Sequence, residues 1–178
     1  MALKNMNSKN ETKRFKPETQ IALFRTIVLG LIFFGAILYM FAKKDIGCVV
    51  HGESMLPTYK EGDEVVATKI ADVSEISRYD IVVVNSKRKQ NTNLIKRVIA
   101  LPKENIKINK DGQVFVNGIE LNSCYSYWLE KMNVDKEISV TLGDNEFFII
   151  GDNVNNSFDS RADELGAVSV EDILGVVK

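Results

Sequence analysis

Ser54 is the first residue whose type and setting suggest chemistry, within the stretch "HGESMLPTYKEGDEV". Gly52 before it and Pro57 after it favour a shaped turn that holds one hydroxyl in place. A serine hydroxyl is a weak nucleophile at neutral pH and needs a base. His51 is the only histidine of the chain, but residues three apart on an extended turn do not usually face each other. Since spacing marks no carboxylate behind its imidazole, the sequence predicts a surface or pocket-lining role for His51. An ordinary loop serine is the alternative for Ser54.

Lys96 is the other candidate base, in the apolar run "NLIKRVIALP". The two-residue period of a strand predicts that Leu94, Val98 and Ala100 share its face, with Arg97 on the opposite face. A lysine acts as a base only when neutral, and burial in apolar surroundings disfavours the charged form. Snorkelling at a sheet edge is the common alternative for such a lysine.

A third cluster, "GDNVNNSFDSRADELG", covers residues 151–166 and follows the apolar run "EFFII". Asn, Asp, Ser and Gly are ordinary residues of a turn-rich loop. A polar loop that follows a rigid strand is also where a scaffold typically presents a functional site. Both interpretations stay open from the residues alone.

The elements that would position these three segments begin with an apolar run near the amino end of the sequence. Residues 1–20 carry five basic and two acidic residues and no apolar period, which predicts a polar tail. Residues 21–42 then read "IALFRTIVLGLIFFGAILYMFA", about 33 Å as a helix. The run is apolar on every face, which argues against a core helix, and no cleavage site follows, which argues against a signal peptide. We predict an uncleaved transmembrane anchor with its amino end in the cytoplasm, because the basic residues precede it.

Residues 43–178 change to short β signals. Six β-branched or aromatic runs are divided by Gly, Asn and Asp, and "NIKINKDGQVFVN" predicts a hairpin followed by a tight turn at Asn117-Gly118. Residues 124–136 predict a short helix or an irregular loop. The fold class is therefore an all-β catalytic domain of antiparallel sheets, sandwich- or barrel-like, preceded by one transmembrane α-helix.

Composition limits the function classes. Residues 43–178 hold 17 basic and 22 acidic residues, so nothing indicates a nucleic-acid surface. One histidine and two isolated cysteines, Cys48 and Cys124, make a zinc site improbable. Two unpaired thiols are favoured over one disulfide.

Together, "GESMLPT", "KRVIALP" and "GDNVNNSFDSR" resemble in order and spacing the serine, lysine and third boxes of type I signal peptidases, the membrane-anchored Ser-Lys proteases of bacteria. The resemblance runs from the anchor to "VSVEDILG", in a compact Gram-positive-like form. It implies that Ser54 is the nucleophile and Lys96 the general base. It further implies that Ser157 orients the lysine amine, that Asp159 and Arg161 form one supporting pair, and that Asp152 and Arg97 form another.

The resemblance also implies the reaction and its setting. Substrates are exported preproteins, cut after small residues at the last and third-last positions of the signal peptide, without metal or cofactor. The backbone N–H of Ser54 stabilises the oxyanion, and substrate adds as a strand near 49–52 and 93–95. The enzyme is expected to be a monomer in the lipid bilayer with its catalytic domain outside. The residues implied to line the substrate pocket are Val50, His51, Gly52, Met55, Tyr59 and Ile95.

This chain departs from the family pattern at several positions. Gly52 supplies no hydroxyl as a second oxyanion donor. The lysine box continues Ala100-Leu101-Pro102-Lys103-Glu104 where Gly-Leu-Pro-Gly-Asp is usual, and Ser169 replaces a usual proline. Two alternatives stay open: a LexA-like self-cleaving Ser-Lys protease, which would lack this anchor and the third box, and a non-catalytic or specialised membrane assembly factor, which would lack Ser54 or Lys96.

Overall fold

The computed structural model describes residues 17–42, 45–86, 92–121 and 132–178. The chain divides into two compact units, residues 1–42 and 43–178. In the described residues, the first contains an apolar helix and the second contains antiparallel sheets, which confirms the predicted fold class.

Helix α1 runs from Pro17 to Ala42. It begins four residues before the predicted anchor, inside the stretch predicted to be a polar tail. Proline suits the first turn of a helix, where its missing N–H has no intrahelical partner. Within α1, Gln20–Tyr39 has a mean hydropathy of 2.4 and is not buried. This segment is long and apolar enough to cross a membrane.

The second unit contains eleven strands among the described residues. They form a seven-stranded sheet in the order β1-β2-β11-β3-β4-β9-β10 and a four-stranded sheet in the order β7-β6-β5-β8. Every pairing is antiparallel. The strands are β1 Asp45–Val49, β2 Glu64–Thr68, β3 Ile81–Ser86, β4 Thr92–Ala100, β5 Asn105–Ile108, β6 Val114–Val116, β7 Ile119–Glu120, β8 Ile138–Thr141, β9 Glu146–Ile150, β10 Val168–Ser169 and β11 Ile173–Val177.

Strand β9 lies between two hydrophobic clusters. Phe148 and Ile150 pack with the four-stranded sheet, whereas Phe147 and Ile149 pack with residues of β3, β4 and β11. A strand buried on both faces reads as a continuous apolar run rather than an alternation. This explains the sequence "EFFII", and it makes β9 a rigid base for the polar loop that follows.

The predicted hairpin is present. Strands β5 and β6 pair Ile106 with Val116 and Ile108 with Val114. The tight turn into β7 uses Asn117 and Gly118, both with positive φ, as a type I′ hairpin turn requires. Within the segment predicted as a short helix or loop, residues 132–136 form neither helix nor strand, and the remainder lies outside the described residues.

Strands β1, β10 and β11 were not predicted from the sequence. Strand β11 contains Gly175, where a Cβ would come within 2.7 Å of the Thr68 carbonyl oxygen. The glycine is therefore needed for close approach of two strands, although glycine in a sequence indicates a break. The carboxyl-terminal strand reaches the sheet interior, between β2 and β3, a placement set by tertiary contacts.

The departures after Lys96 are accommodated in a tight turn between β4 and β5. Lys103 takes the positive φ of 68° that a glycine adopts more easily. Glu104 accepts hydrogen bonds from the Leu101 N–H at 2.7 Å and from Arg78 Nη2 at 2.6 Å. Glu104, which is one methylene longer than the usual aspartate, thus links the turn to Arg78.

Candidate functional site

Ser54 lies in the loop between β1 and β2, at the border of a cavity of about 860 Å³. The next side chain, Met55, is buried, which anchors the loop. The Ser54 carbonyl oxygen accepts a hydrogen bond from the Asn153 N–H at 3.0 Å. The third polar cluster thus holds the serine loop directly.

Lys96 reaches Ser54 from β4. Its Nζ lies 2.7 Å from Ser54 Oγ and 2.8 Å from the Ile95 carbonyl oxygen. Although 42 positions separate the two residues, the sheet brings their side chains to hydrogen-bonding distance. This distance suits proton transfer between hydroxyl and amine.

The surroundings of Lys96 are apolar. It is 2% exposed, and Leu94 and Val98 on either side belong to one core cluster together with Val82, its partner on β3. Lys96 is therefore desolvated rather than snorkelling. Ala100 was predicted on the same face, but a bulge after Val98 moves it into the other cluster, because a bulge shifts the alternation by one residue.

Gly151 allows the third cluster to approach Ser54. A Cβ at this position would come within 2.5 Å of the Ser54 carbonyl oxygen and 2.8 Å of Ser157 Cβ. Ser157 lines the same cavity as Ser54 and Lys96. Its Oγ is buried and has no hydrogen-bond partner among the described residues.

Arg97 and Asp152 form a bidentate pair beside the site. Arg97 Nε and Nη2 donate to the two Asp152 carboxylate oxygens at 2.7 and 2.6 Å. Thr58 Oγ1 also donates to Asp152, and Arg97 Nη1 donates to the Tyr79 carbonyl oxygen at 2.8 Å. Charge-assisted bonds of this geometry are strong, so they link the serine loop, β4 and the end of β9.

Asp159 and Arg161 form a second bidentate pair. Arg161 Nε and Nη2 each lie 2.8 Å from an Asp159 carboxylate oxygen. The Gly151 N–H also donates to Asp159, at 3.0 Å. The pair therefore holds the third cluster against Gly151, which lies close to the Ser54 carbonyl oxygen.

His51 lies in a different environment, with a side chain that is 80% exposed. Its Nδ1 lies 3.0 Å from a carboxylate oxygen of Glu61, whose other oxygen accepts the Gly52 N–H. The Gly52 N–H and, to a smaller extent, His51 lower the pKa of Glu61 below its ordinary value. The sequence did not indicate this carboxylate, because a separation of ten residues across a turn has no recognisable pattern.

Most residues expected in the substrate pocket line the cavity, but Tyr59 does not. Its N–H closes a turn onto the Met55 carbonyl oxygen at 2.9 Å. Cys48 also lines the cavity and is a free thiol, whereas Cys124 lies outside the described residues. The expected residues that do line the cavity are Val50, His51, Gly52, Met55 and Ile95.

Three polar residues at the site had no role in the sequence analysis: Thr58, Glu61 and Asn153. Thr58 and Asn153 stand inside the serine box and the third box, so position within a motif was the available signal. In the described part of the chain no group of three or more His, Cys, Asp or Glu side chains has an arrangement that suits a metal ion.

Comparisons with known proteins agree on one family. Residues 20–178 match the family described as "Signal peptidase, peptidase S26". Signal peptidase I U of Bacillus subtilis strain 168 is 34% identical over 181 residues, covering 96% of this chain and 91% of that protein. Signal peptidase I P of Bacillus subtilis subsp. natto is 36% identical over 137 residues, covering 72% of each chain.

A solved structure was also found. The crystal structure of a signal peptidase I from Enterococcus faecalis V583 aligns with a TM-score of 0.48 and 24% identity, covering 58% of this chain and 97% of that one. The family match extends over most of the chain and the first two relatives exceed 30% identity. The chain therefore belongs to the signal peptidase family, peptidase S26, and is a hydrolase of the signal peptidase I type.

Proposed function

We propose that this protein is a membrane-anchored serine endopeptidase that removes amino-terminal signal peptides from exported preproteins, with Ser54 as nucleophile and neutral Lys96 as general base. The observation that carries the proposal is the 2.7 Å contact between Lys96 Nζ and Ser54 Oγ at a cavity, with Lys96 only 2% exposed. Burial removes the hydration that stabilises an ammonium ion, so the site favours the neutral amine that a base requires.

The proposed reaction has two halves. Lys96 Nζ takes the Ser54 proton while Oγ bonds to the substrate carbonyl carbon, and the Ser54 N–H stabilises the oxyanion. The C–N bond then breaks, and Lys96 gives its proton to the leaving amine. Water next attacks the acyl-enzyme, transferring a proton to Lys96, and the ester bond to Oγ breaks as Ser54 regains its proton.

Ser157 supports the lysine in this proposal. Its unpartnered, buried hydroxyl lies against the same glycine that contacts the Ser54 backbone. An oxygen in this place can accept a hydrogen bond from the Lys96 amine while Ser54 is acylated. The two arginine–carboxylate pairs fix the loop that presents Ser157 and keep the serine loop in register with β4.

The proposed substrate binds as an extended strand. Strand β1 ends the order of the seven-stranded sheet, and both 47–52 and 92–96 border the cavity. An extended peptide between them would pair its backbone with these segments and turn alternate side chains into the cavity. Buried Met55 and half-buried Ile95 would limit the space and select small residues at the last and third-last positions.

The proposed placement has a tail within 1–20, an anchor within 21–42 and a catalytic domain at 43–178. The unburied apolar segment Gln20–Tyr39 supports membrane insertion, and the excess of basic residues before it supports a cytoplasmic amino end. The protein is proposed to act as a monomer in the bilayer, needing no cofactor. Protease treatment of sealed membrane vesicles of known orientation tests the placement, since only an outward domain is digested from outside.

Cleavage of a preprotein by the full chain in detergent tests the function. Ser54→Ala should lower kcat/KM at least about 10³-fold, since residues acting as one catalytic unit have effects of this size. Ser139→Ala is the matched control and should keep full activity, because Ser139 is an exposed residue of β8. Replacing the substrate alanine before the cut by leucine should also stop cleavage. Full processing by Ser54→Ala would refute the nucleophile, and full cleavage after leucine would refute the specificity.

A further inference from the structure

We infer that Asn153 is a positioning residue for the oxyanion donor, because its side-chain amide orients the peptide group that contains the Ser54 N–H. The inference rests on the proposed function of Ser54. Asn153 contacts both peptide groups around the nucleophile: its Nδ2 donates to the Glu53 carbonyl oxygen at 3.1 Å, and its N–H donates to the Ser54 carbonyl oxygen at 3.0 Å.

Because a peptide group is planar, hydrogen bonds that hold its carbonyl oxygen also set the direction of its N–H. The Glu53–Ser54 bond is trans, so the Ser54 N–H points away from the Glu53 carbonyl oxygen. This oxygen also accepts the Leu56 N–H at 3.1 Å, so two donors fix the plane. Donation to a carbonyl polarises the N–H of the same peptide group and makes it a better donor.

The Ser54 N–H itself has no acceptor among the described residues. Ser54 borders the cavity, so this N–H is available for an oxygen of a bound substrate. The fixed plane and the uncommitted N–H together give a preorganised donor, which needs no reorganisation when negative charge develops on the substrate oxygen.

The contact matters more in the transition state than in the ground state. Removing an oxyanion donor costs about 10²–10³-fold in kcat. Without Nδ2, the Glu53 carbonyl keeps only the Leu56 N–H, and the plane gains freedom to rotate. We expect part of the full loss, a decrease in kcat of about 10–100-fold, with KM changed less than about twofold because uniform binding is retained.

The test uses the full chain in detergent with Asn153→Asp, which replaces the donor by an acceptor of the same shape, and Asn153→Ala. Both keep the backbone contact to Ser54, and the alanine variant serves if the aspartate variant does not fold. Asn145→Asp is the control, since Asn145 is exposed outside the cavity. Two inhibitors separate the roles: a peptide aldehyde, whose adduct with Ser54 places an oxygen at the donor, and the same peptide with a reduced scissile bond that lacks this oxygen.

In the variants, the affinity for the aldehyde should fall by the same factor as kcat, whereas the affinity for the reduced peptide should be unchanged. Unchanged kcat, or equal weakening of both inhibitors, would overturn the inference, because a merely structural role would damage all binding together. Failure of the proposed function would look different, since the aldehyde would then not inhibit the unmodified enzyme at all.

Discussion

Two nitrogen bases border the cavity that contains Ser54, and their surroundings differ sharply. Lys96 comes from a central strand, is 2% exposed and contacts Ser54 Oγ. His51 stands three residues before the serine, has a side chain that is 80% exposed and contacts Glu61. The difference teaches that distance along the chain is a poor guide to which side chain contacts Ser54. The fold brings Lys96 on β4 to Ser54 in the β1–β2 loop, although β11 and β3 separate β2 from β4 in the sheet order.

The environment also decides which protonation state is useful. The proposed mechanism needs a neutral Lys96, and burial disfavours the charged form of a lysine, whereas the His51 imidazole is exposed to water. His51 does have a carboxylate partner, which is part of the arrangement of a hydrolytic triad. Its exposure and the existing Lys96–Ser54 contact argue against His51 as the base, and its partner Glu61 also accepts the Gly52 N–H.

The largest expected effect separates the two bases. Lys96→Met should lower kcat/KM at least about 10³-fold, because it removes the proposed acceptor of the Ser54 proton. His51→Ala should retain most activity. Steady-state cleavage of a preprotein measures both, and Lys107→Met is the lysine control, because the Lys107 side chain is exposed on β5. Loss with His51→Ala equal to that with Lys96→Met would reverse the comparison.

The next effect contrasts the buried Arg97–Asp152 pair with the exposed His51–Glu61 pair. Asp152→Ala should destabilise the protein by about 3–5 kcal/mol, because it leaves the Arg97 guanidinium without its carboxylate in a poorly hydrated place. The side chains of this pair are only 11% and 1% exposed. Glu61→Gln, in the exposed pair, should lower the denaturation midpoint far less, because this carboxylate is well hydrated. Denaturant unfolding of the full chain in detergent measures both; equal midpoints for the two variants would contradict the contrast.

A smaller effect concerns the pKa of Glu61. The Gly52 N–H lowers this pKa most and His51 contributes less, so His51→Ala should raise it only part of the way to its ordinary value. A depressed folded pKa stabilises the protein above the unfolded value, and this stabilisation is lost as pH falls through the folded value. Carboxyl NMR titration gives the pKa of both proteins. Complete return to the ordinary value in His51→Ala would show that the imidazole, not the backbone, holds the carboxylate.

The smallest effect concerns Lys103, in the turn between β4 and β5. Lys103 adopts φ of 68°, which costs a non-glycine residue about 1 kcal/mol or more. Lys103→Gly should stabilise the protein by about 0.5–1 kcal/mol after the added freedom of the unfolded chain is subtracted. Its ion pair with Asp144 is exposed and 3.6 Å long, so its loss changes little. Thermal unfolding measures the gain, and a lower midpoint would contradict it.

Much of the fold was predictable because local patterns express local physics. A long apolar run predicts a membrane-spanning helix. The alternation of Ile106 and Ile108 before a Lys-Asp-Gly turn, with Val114 and Val116 after it, predicts a hairpin. The misses have nonlocal causes. Strand β11 contains Gly175, which is required because a Cβ there would come too close to the Thr68 carbonyl oxygen. The bulge after Val98 moves Ala100 to another cluster. Neither contact exists until distant strands pair.

The sequence by itself determined the family, the apolar amino-terminal segment, the β-rich second unit and the identity of the candidate side chains in three boxes. Only the tertiary structure decided that Lys96 rather than His51 contacts Ser54, that Glu61 pairs with His51, and that Asn153 donates to the carbonyl oxygens of Glu53 and Ser54. The physical reason is that a hydrogen bond depends on its donor–acceptor distance to a few tenths of an ångström and on its angle. A sequence specifies only chain order and residue type. Burial of Lys96 likewise exists only once the strands around it have packed.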